Sequence, residues 1–234
     1  MNVLRKMIML LLVLGFATHA QAGEVEDSFA RGKTAYTQGD YQQALREYRR
    51  TLNWPGEHTA RAHYNLGVCH FQLAQLPEAV TAYQAALKFA PNYFAAAYGL
   101  GLAYSQQGKL PEALLAFGSA VDWSQGRDPD ALLEYGTLLA QAGDFKEAEN
   151  NLRQALKFAG SHKPATHNNL GVILAREGFF NAAEQEFLAA NKLTAKSLPV
   201  VANNLKLCRQ RLNTRPSAIA GWELTPGPWS FNVE

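Results

Sequence analysis

Apolar side chains recur along the chain with the period of an α-helix, about 3.6 residues, in pairs of segments separated by short turns. The stretch 60–92 shows this most clearly, because it contains two such segments. One face of the first segment carries residues at i, i+3, i+4 and i+7, namely His63, Leu66, Gly67 and His70. Pro77 fits the first turn of a second helix, where an N–H group has no intrahelical partner, and Pro91 ends that helix. The stretch therefore predicts two amphipathic helices joined by a turn.

A glycine within the first helix recurs throughout the chain. Glycine in a helix interior costs about 1 kcal/mol relative to alanine, so the close approach of another backbone, supplied by the second helix, is expected to offset it. The equivalent positions, at spacings of 35, 34, 35 and 35 residues, are Gly32, Gly67, Gly101, Gly136 and Gly171. An alanine of the second helix recurs at the same spacings, at Ala44, Ala79, Ala113, Ala148 and Ala183. A large side chain follows each alanine by four residues, at Tyr48, Tyr83, Phe117, Leu152 and Phe187.

This period of about 34 residues, with glycine, alanine and a large residue at fixed places, resembles the tetratricopeptide repeat. The resemblance implies an all-α fold, a right-handed α-solenoid of five helix pairs followed by a C-terminal capping helix. The pairs are expected near residues 25–58, 60–93, 94–128, 129–163 and 164–198. The capping helix, at 199–213, has Lys206 where a sixth glycine would fall, which suits a helix with no partner to approach it. The predicted solenoid thus covers residues 23–213, and a tail covers residues 214–234.

The chain begins with a segment typical of a secretory signal peptide. Arg5 and Lys6 precede an apolar run from Met7 to Phe16, and small residues flank a cleavage point after Ala22. The run is shorter than the roughly 20 apolar residues of a membrane-spanning helix, which favours cleavage over an uncleaved membrane anchor. No cysteine follows the run, so a lipid anchor is not expected. We therefore predict that residues 1–22 are removed and that the protein is periplasmic or otherwise exported.

Charge gives no support for binding to nucleic acids. The sequence has 22 Lys and Arg residues against 20 Asp and Glu, and the leader contains Arg5 and Lys6, so the mature chain is near neutral. Proteins that bind nucleic acids usually present an excess of basic side chains. Nucleic acid is therefore not an expected partner.

Cysteine usage predicts no disulfide. Cys69 and Cys208 fall in equivalent places four repeats apart. In the stack that the resemblance implies, adjacent parallel helices lie at least about 8–10 Å apart, which puts the two sulfurs about 30 Å or more from each other. A disulfide needs Cα atoms within about 7 Å. Both cysteines are therefore predicted to be small, buried, free side chains.

No motif for catalysis or for binding a cofactor or metal stands out. His63, His70 and His167 lie on the core face of their helices, so packing explains them. The sequence contains no HExxH motif and no closely spaced pair of cysteines, and Gly108–Lys109 lacks the rest of a phosphate-binding loop. We predict that the protein is not an enzyme and has no catalytic residues, cofactor or metal.

A second stripe on each first helix, rotated about 100° from the core face, is the candidate binding surface. Tetratricopeptide repeat proteins line a concave groove with their first helices, and the resemblance assigns this stripe to that groove. Its N-terminal half is aromatic and apolar, and its C-terminal half offers amides and arginine, which can pair with an extended backbone. The predicted partner-binding residues are Phe29, Tyr36, Tyr64, Asn65, Val68, Phe71, Tyr98, Leu102, Asn168, Asn169, Arg176 and Asn203. The alternative for any one of them is packing between repeats as core.

The tail differs in composition from the repeats. Its prolines and its large apolar residues are Pro216, Pro226, Pro228, Trp222, Trp229 and Phe231. The tail either folds back and packs on the last helices or serves as a partner-binding arm. Large exposed apolar patches are uncommon on soluble monomers, which favours packing.

These features predict a scaffold that binds a protein or peptide segment in its groove. The segment would be bound during assembly of an envelope machine, such as a pilus, secretion or cell-wall complex. That process follows from what similar proteins commonly do and not from any residue. The alternative is a periplasmic holding chaperone for exported apolar segments.

Overall fold

A computed structural model describes residues 22–54, 56–158, 163–194 and 198–213, together with Leu224. The regular structure in these ranges is entirely α-helical. The helices are α1 (22–37), α2 (Tyr41–Thr51), α3 (Thr59–Gln72), α4 (Leu76–Phe89), α5 (Phe94–Gln106), α6 (Leu110–Trp123), α7 (Pro129–Ala142), α8 (Phe145–Ala155), α9 (Lys163–Arg176), α10 (Phe180–Lys192) and α11 (Pro199–Asn213). The predicted signal peptide up to residue 21 and almost all of the predicted tail lie outside the described residues.

The described helices fall into two compact units, one ending at Gln107 and one beginning at Gly108. In unit 1, which contains α1 to α5, α3 packs on α2, α4 and α5. In unit 2, which contains α6 to α11 and Leu224, each helix packs on the next along the chain. The helix α9 also contacts α7, the first helix of the preceding pair, and α11, the last described helix. The prediction of an all-α fold built from paired helices is confirmed.

Three of these helices have an aspartate as the N-cap residue. The carboxylates of Asp40, Asp128 and Asp144 accept hydrogen bonds from the backbone N–H three residues further on, at 2.9, 2.8 and 3.2 Å. Such a cap satisfies an N–H group that has no partner within the helix and contributes about 1 kcal/mol. Among the described helices, none is both long and apolar enough to cross a membrane.

The turn after each first helix contains a residue in the left-handed backbone region. Glycine occupies this place four times, with φ between 71° and 90°, at Gly39, Gly108, Gly143 and Gly178. After α3 the same conformation is held by Ala74, with φ of 56°. A Cβ atom in this region costs roughly 1–2 kcal/mol, so Ala74 is the strained member of the set.

The helix glycines make room for the large residue of the second helix. A Cβ atom added at Gly67 would lie 2.6 Å from the ring of Tyr83, and one at Gly171 would lie 2.7 Å from the ring of Phe187. Both rings are completely buried. The second helix does approach each of these glycines closely, but the prediction that its backbone is what comes near is wrong at both, because the nearest atoms belong to aromatic side chains. At Gly136 the carbonyl oxygen of Ala148 in the second helix also comes within 3.2 Å of the added atom.

The two cysteines are free and buried. Burial raises the pKa of the Cys69 thiol to about 12 and that of Cys208 to about 11. The Cys208 thiol donates a hydrogen bond to the carbonyl oxygen of Phe180 at 3.1 Å. Both residues therefore pack as small apolar side chains, as predicted.

The contact between Gly171 and Phe187 predicts opposite effects for one substitution at two helix glycines. Gly171→Ala should lower the free energy of unfolding by about 1–2 kcal/mol, because overpacking against Phe187 outweighs the gain in helix propensity. Gly118→Ala, in the middle of α6, is the matched control. Its Cβ would meet Tyr135 no closer than 3.5 Å, so this variant should gain up to about 1 kcal/mol. Urea unfolding of both variants gives the two values, and a change of the same sign at both sites would contradict the packing.

The raised thiol pKa values predict that neither cysteine reacts in the folded protein. The thiolate is the reactive form, and a group whose pKa is about 11 to 12 is almost wholly protonated at pH 8. Labelling with a thiol-specific disulfide reagent at pH 8 should therefore be negligible until denaturant unfolds the chain, when two thiols should react at once. Labelling of the native protein at the rate of the unfolded chain would show that these side chains are accessible.

Candidate functional site

The predicted binding stripe lies on α1, α3 and α5 in unit 1 and on α7, α9 and α11 in unit 2. We call the unit 2 part the first-helix face. Its residues, at the stripe positions of the three helices, are Leu133, Thr137, Ala140, Asn168, Val172, Ala175, Arg176, Asn203, Leu207, Gln210 and Arg211.

Most predicted binding residues of unit 1 are buried. Those with at most 8% of their surface exposed are Phe29, Tyr64, Asn65, Val68, Phe71 and Leu102. The ring of Tyr64 lies 5.3 Å from that of Tyr93 and 6.0 Å from that of Tyr83, which belongs to the core of its own helix pair. Phe29 lies 5.9 Å from Tyr48 and beneath the guanidinium of Arg61, which is 3.9 Å from its ring centre. These aromatic side chains therefore stabilise unit 1 itself. Their contact with a partner stays a prediction.

Two predicted residues of unit 1 are only half-buried. Tyr98 stacks on Phe94, with ring centres 6.1 Å apart. Tyr36 lies 5.3 Å from Tyr41, and its hydroxyl oxygen accepts a hydrogen bond from the Gln72 amide at 3.3 Å. Partial burial raises the pKa of Tyr36, so the phenol is neutral at physiological pH. These two rings are the members of the unit 1 set that a partner can reach directly.

In unit 2 the predicted amides form a buried chain of hydrogen bonds across three helices. Asn204 of α11 donates to the Asn168 carbonyl oxygen of α9 at 2.9 Å, and Asn168 donates to Asn169 at 3.2 Å. Asn169 then donates to the hydroxyl of Thr137 on α7 at 2.8 Å, and Thr137 donates to the carbonyl oxygen of Leu133 at 2.7 Å. The three asparagines are completely buried and Thr137 is 3% exposed. Asn168 and Asn169, predicted to bind a partner, thus bond within the protein, and a role in binding stays a prediction.

The other two predicted residues of unit 2 are accessible. Arg176, at the last turn of α9, is half-buried, and its guanidinium stands 5.7 Å from the ring centre of Phe145. Asn203 of α11 is exposed. Together they provide a cation and an amide at the edge of the first-helix face.

The three histidines predicted to pack, His63, His70 and His167, contact residues of their own helix pairs. His63 stacks on Phe89 with ring centres 5.6 Å apart, and burial lowers its pKa. His70 bonds to the Gln75 amide oxygen at 2.7 Å, and His167 bonds to the Glu186 carboxylate at 2.7 Å. Within the described ranges, no group of three or more His, Cys, Asp or Glu side chains is placed to hold a metal ion.

Asn204 and Thr137 have structural roles that were not predicted from the sequence. Asn204 follows Asn169 at the repeat spacing of 35 residues, and this equivalence was the available signal. Thr137 gave none, because a single hydroxyl on a helix has many possible partners. Only the contact between α7 and α9 in the structure shows that Asn169 is the partner of this hydroxyl.

Comparisons with known proteins agree with this architecture. A family model described as tetratricopeptide repeat matches residues 29–94, 74–131 and 133–197. No curated protein matches the chain in sequence. Among solved structures, YrrB, described as a tetratricopeptide repeat protein with an unusual peptide-binding site, is 20% identical. The match covers 72% of this chain and 84% of YrrB, with a TM-score of 0.62.

Two further structures are similar. MamA of Desulfovibrio magneticus RS-1, from residue 41 to its end, is 19% identical over 73% of this chain and 94% of that one, with a TM-score of 0.65. A tetratricopeptide repeat protein from Parabacteroides merdae is 15% identical over 82% of this chain and 74% of that one, with a TM-score of 0.68. At these identities the likeness concerns the fold. Since the family model covers most of the sequence, the chain belongs to the tetratricopeptide repeat family.

Proposed function

We propose that this protein is a non-enzymatic scaffold that binds a segment of a partner protein on the stripes of its first helices. The observation that carries the proposal is the contact of α9 with α7 and with α11, which joins the first helices of two successive pairs and the last described helix into one face. Arg176 and Asn203 reach the surface at this face. A cation and an amide suit an extended peptide, because both can pair with backbone carbonyls or acidic side chains.

Two further facts support a protein or peptide as the ligand. The similar structure YrrB is described as having a peptide-binding site. The described residues hold no cluster suited to a metal, and His63, His70 and His167 are engaged in packing contacts or hydrogen bonds. Binding energy at such a face comes from a few large or charged side chains, of which Arg, Tyr and Trp are the most effective. Arg176, Tyr36 and Tyr98 are the accessible residues of these types in the predicted set.

We further propose that the protein works in the bacterial periplasm, where the bound segment belongs to an envelope machine under assembly. Residues 1–22 support export, because they combine two basic residues, an apolar run and a small-residue cleavage point. Cleavage after Ala22 would leave Gly23 in the first turn of α1, followed by Glu24, Glu26 and Asp27. Acidic side chains at a helix N-terminus are stabilising, so the mature chain would begin with a favourable helix start.

The export proposal predicts a mature N-terminus at Gly23. Protein recovered from the periplasm of cells expressing the full sequence should lack residues 1–22 by intact-mass measurement and N-terminal sequencing. Replacing Ala20 and Ala22 by arginine should block cleavage, because the cleavage site requires small residues. Recovery of the uncleaved chain from the cytoplasm would exclude the periplasmic proposal.

The binding proposal predicts a difference between two arginines of unit 2. The partner is first identified by affinity capture of the mature protein from its own envelope extract, and affinities are then measured with that purified partner. Arg176→Ala, on the first-helix face, should weaken binding by about 2 kcal/mol, roughly thirtyfold in Kd. Arg153→Ala is the control, because Arg153 is exposed on the second helix α8, in an i,i+4 ion pair with Glu149.

Thermal melts of both variants separate lost binding from lost folding. Equal affinity of the Arg176→Ala and Arg153→Ala variants for the captured partner would place the binding surface elsewhere. Weak capture of many unfolded chains in place of one partner would favour the holding chaperone. Turnover of a substrate, abolished by one polar substitution, would show an enzyme.

A further inference from the structure

A groove of about 400 Å³ opens between α3 and α4 of unit 1. On the α3 side it is lined by His63, Leu66 and His70, which belong to the core face of that helix and not to the predicted binding stripe. On the α4 side its lining includes Pro77 and Ala82. A volume of this size is in the range of ligand pockets, so the groove is large enough to hold a long side chain of another molecule.

Ala82 leaves this groove open, whereas a glutamate fills the same place in two other helix pairs. The equivalent residues, at the repeat spacing, are Glu47 in α2 and Glu186 in α10. Each of these carboxylates reaches across to a side chain of its first helix, as Glu186 does to His167 at 2.7 Å. His63 is the equivalent of His167, but Ala82 has no group that can reach it in this way. The second pair therefore has an imidazole beside an open space where the fifth pair has an internal contact.

The polar groups that line this groove are hydrogen-bond acceptors or carry negative charge. Burial lowers the pKa of His63, so its ring is neutral at pH 7.5 and keeps a lone pair. His70 bonds through Nδ1 to the Gln75 amide oxygen at 2.7 Å, so Nδ1 carries the hydrogen and Nε2 of the neutral ring is an acceptor. Glu78 also lines the groove and is exposed, which places a carboxylate at its rim. A cation with hydrogen-bond donors is complementary to this set of groups.

A carboxylate ligand, in the place that Glu186 takes in α10, is disfavoured by the residue one turn earlier on the second helix. Where the chain supplies its own carboxylate, that earlier residue is uncharged. Gln43 precedes Glu47 by four residues and donates to it at 2.9 Å, and Ala182 precedes Glu186 by four. The corresponding residue of α4 is Glu78, which would repel a second carboxylate at this spacing.

The apolar part of the groove matches the rest of a basic side chain. Leu66, Pro77 and Ala82 give a lining on which the methylene stem of lysine or arginine can pack while the charged end stays near water. His63 is in turn stacked on Phe89, with ring centres 5.6 Å apart, and 57% of Phe89 is exposed. An exposed aromatic ring next to the groove attracts an ammonium or guanidinium group.

We propose that the groove between α3 and α4 binds a lysine or arginine side chain of a partner protein, with the cationic group at Glu78 and the imidazoles of His63 and His70. The stem of that side chain packs on Leu66 and Ala82. This site lies outside the predicted binding stripe and does not rest on the function proposed for that stripe.

Alanine pentapeptides with one central residue varied test the chemistry on the full mature chain. Peptides with central lysine or arginine, blocked at both ends, are added up to millimolar concentration at pH 7.5, and the histidine ring signals are followed by NMR. The signals of His63 and His70, assigned with His63→Gln and His70→Gln, should shift and saturate. The signal of His167 should not, because Glu186 fills the equivalent place. Central norleucine, which keeps an aliphatic chain without the charge, should bind at least about tenfold more weakly.

Substitutions on α4 locate the site. Glu78→Gln should weaken binding of the lysine peptide about fivefold, as expected for an exposed ion pair. Glu112→Gln is the matched control, because Glu112 is the equivalent exposed residue of α6, and α5 has Ala97 and Tyr104 in the places of the two histidines. This variant should bind as the wild type does. Ala82→Leu should fill the groove and weaken binding at least about tenfold, and Glu78→Gln, at an exposed position, carries the test if Ala82→Leu does not fold.

Four results would overturn the proposal. Equal affinity for the lysine and norleucine peptides would exclude recognition of a cation, and tighter binding of a central glutamate would show that the groove takes a carboxylate. No shift at His63 with any peptide would show that the groove holds no basic side chain. Equal losses in Glu78→Gln and Glu112→Gln would show an effect of net charge and not of this site. Because no captured partner is used, failure here leaves the stripe proposal standing, and equal binding by the two arginine variants above leaves this one standing.

Discussion

The contact between a helix glycine and a large buried side chain is the interaction on which the helix pairs within each unit depend. At Gly32, Gly67 and Gly171 the place of a Cβ atom is taken by an aromatic ring of the following helix. Tyr83 goes further, since its ring lies against Gly67 on one side and Gly99 on the other and so joins α3, α4 and α5. A fully buried aromatic ring removes a large apolar area from water, and this compensates for the low helix propensity of glycine. The ring thereby fixes the distance between the two helices and the position of the second helix along the axis of the first.

This constraint explains why the fold could be predicted from the sequence. A glycine, an alanine and a large residue recur at a spacing of 34 or 35 residues, and each reports a contact inside one helix pair. Contacts of that kind join residues close in sequence, so the pattern of a single repeat specifies them. The left-handed turn was likewise visible as glycine in four places. Ala74 was not, because alanine has no preference for that conformation and adopts it only where the surrounding helices impose it.

The candidate site was harder to predict from the sequence, because its contacts join different repeats. Rotation by about 100° from the core face identifies which residues share a stripe, but not what lies opposite that stripe. Tyr64 and Phe71 were expected to face a groove, and the structure buries both against other side chains. Asn168 was expected to offer its amide to a partner, and it bonds to Asn204 of the next first helix. Both outcomes depend on neighbours about 30 or more residues away in sequence, which a single helical wheel does not contain.

The chain of amides across unit 2 has a consequence for how the protein folds. Repeats of similar sequence can pair in the wrong order, and such misassembly is a characteristic failure of repeat proteins. The glycine contacts cannot prevent it, because similar contacts recur at Gly32, Gly67, Gly136 and Gly171. The hydrogen bonds from Asn204 through Asn168 and Asn169 to Thr137 form only when α7, α9 and α11 lie in this order and at this height. A first helix docked against the wrong neighbour, or shifted by one turn, would bury these groups without partners at about 1–3 kcal/mol each. The amide chain therefore distinguishes α7, α9 and α11 from one another and favours one arrangement of these three helices over the alternatives.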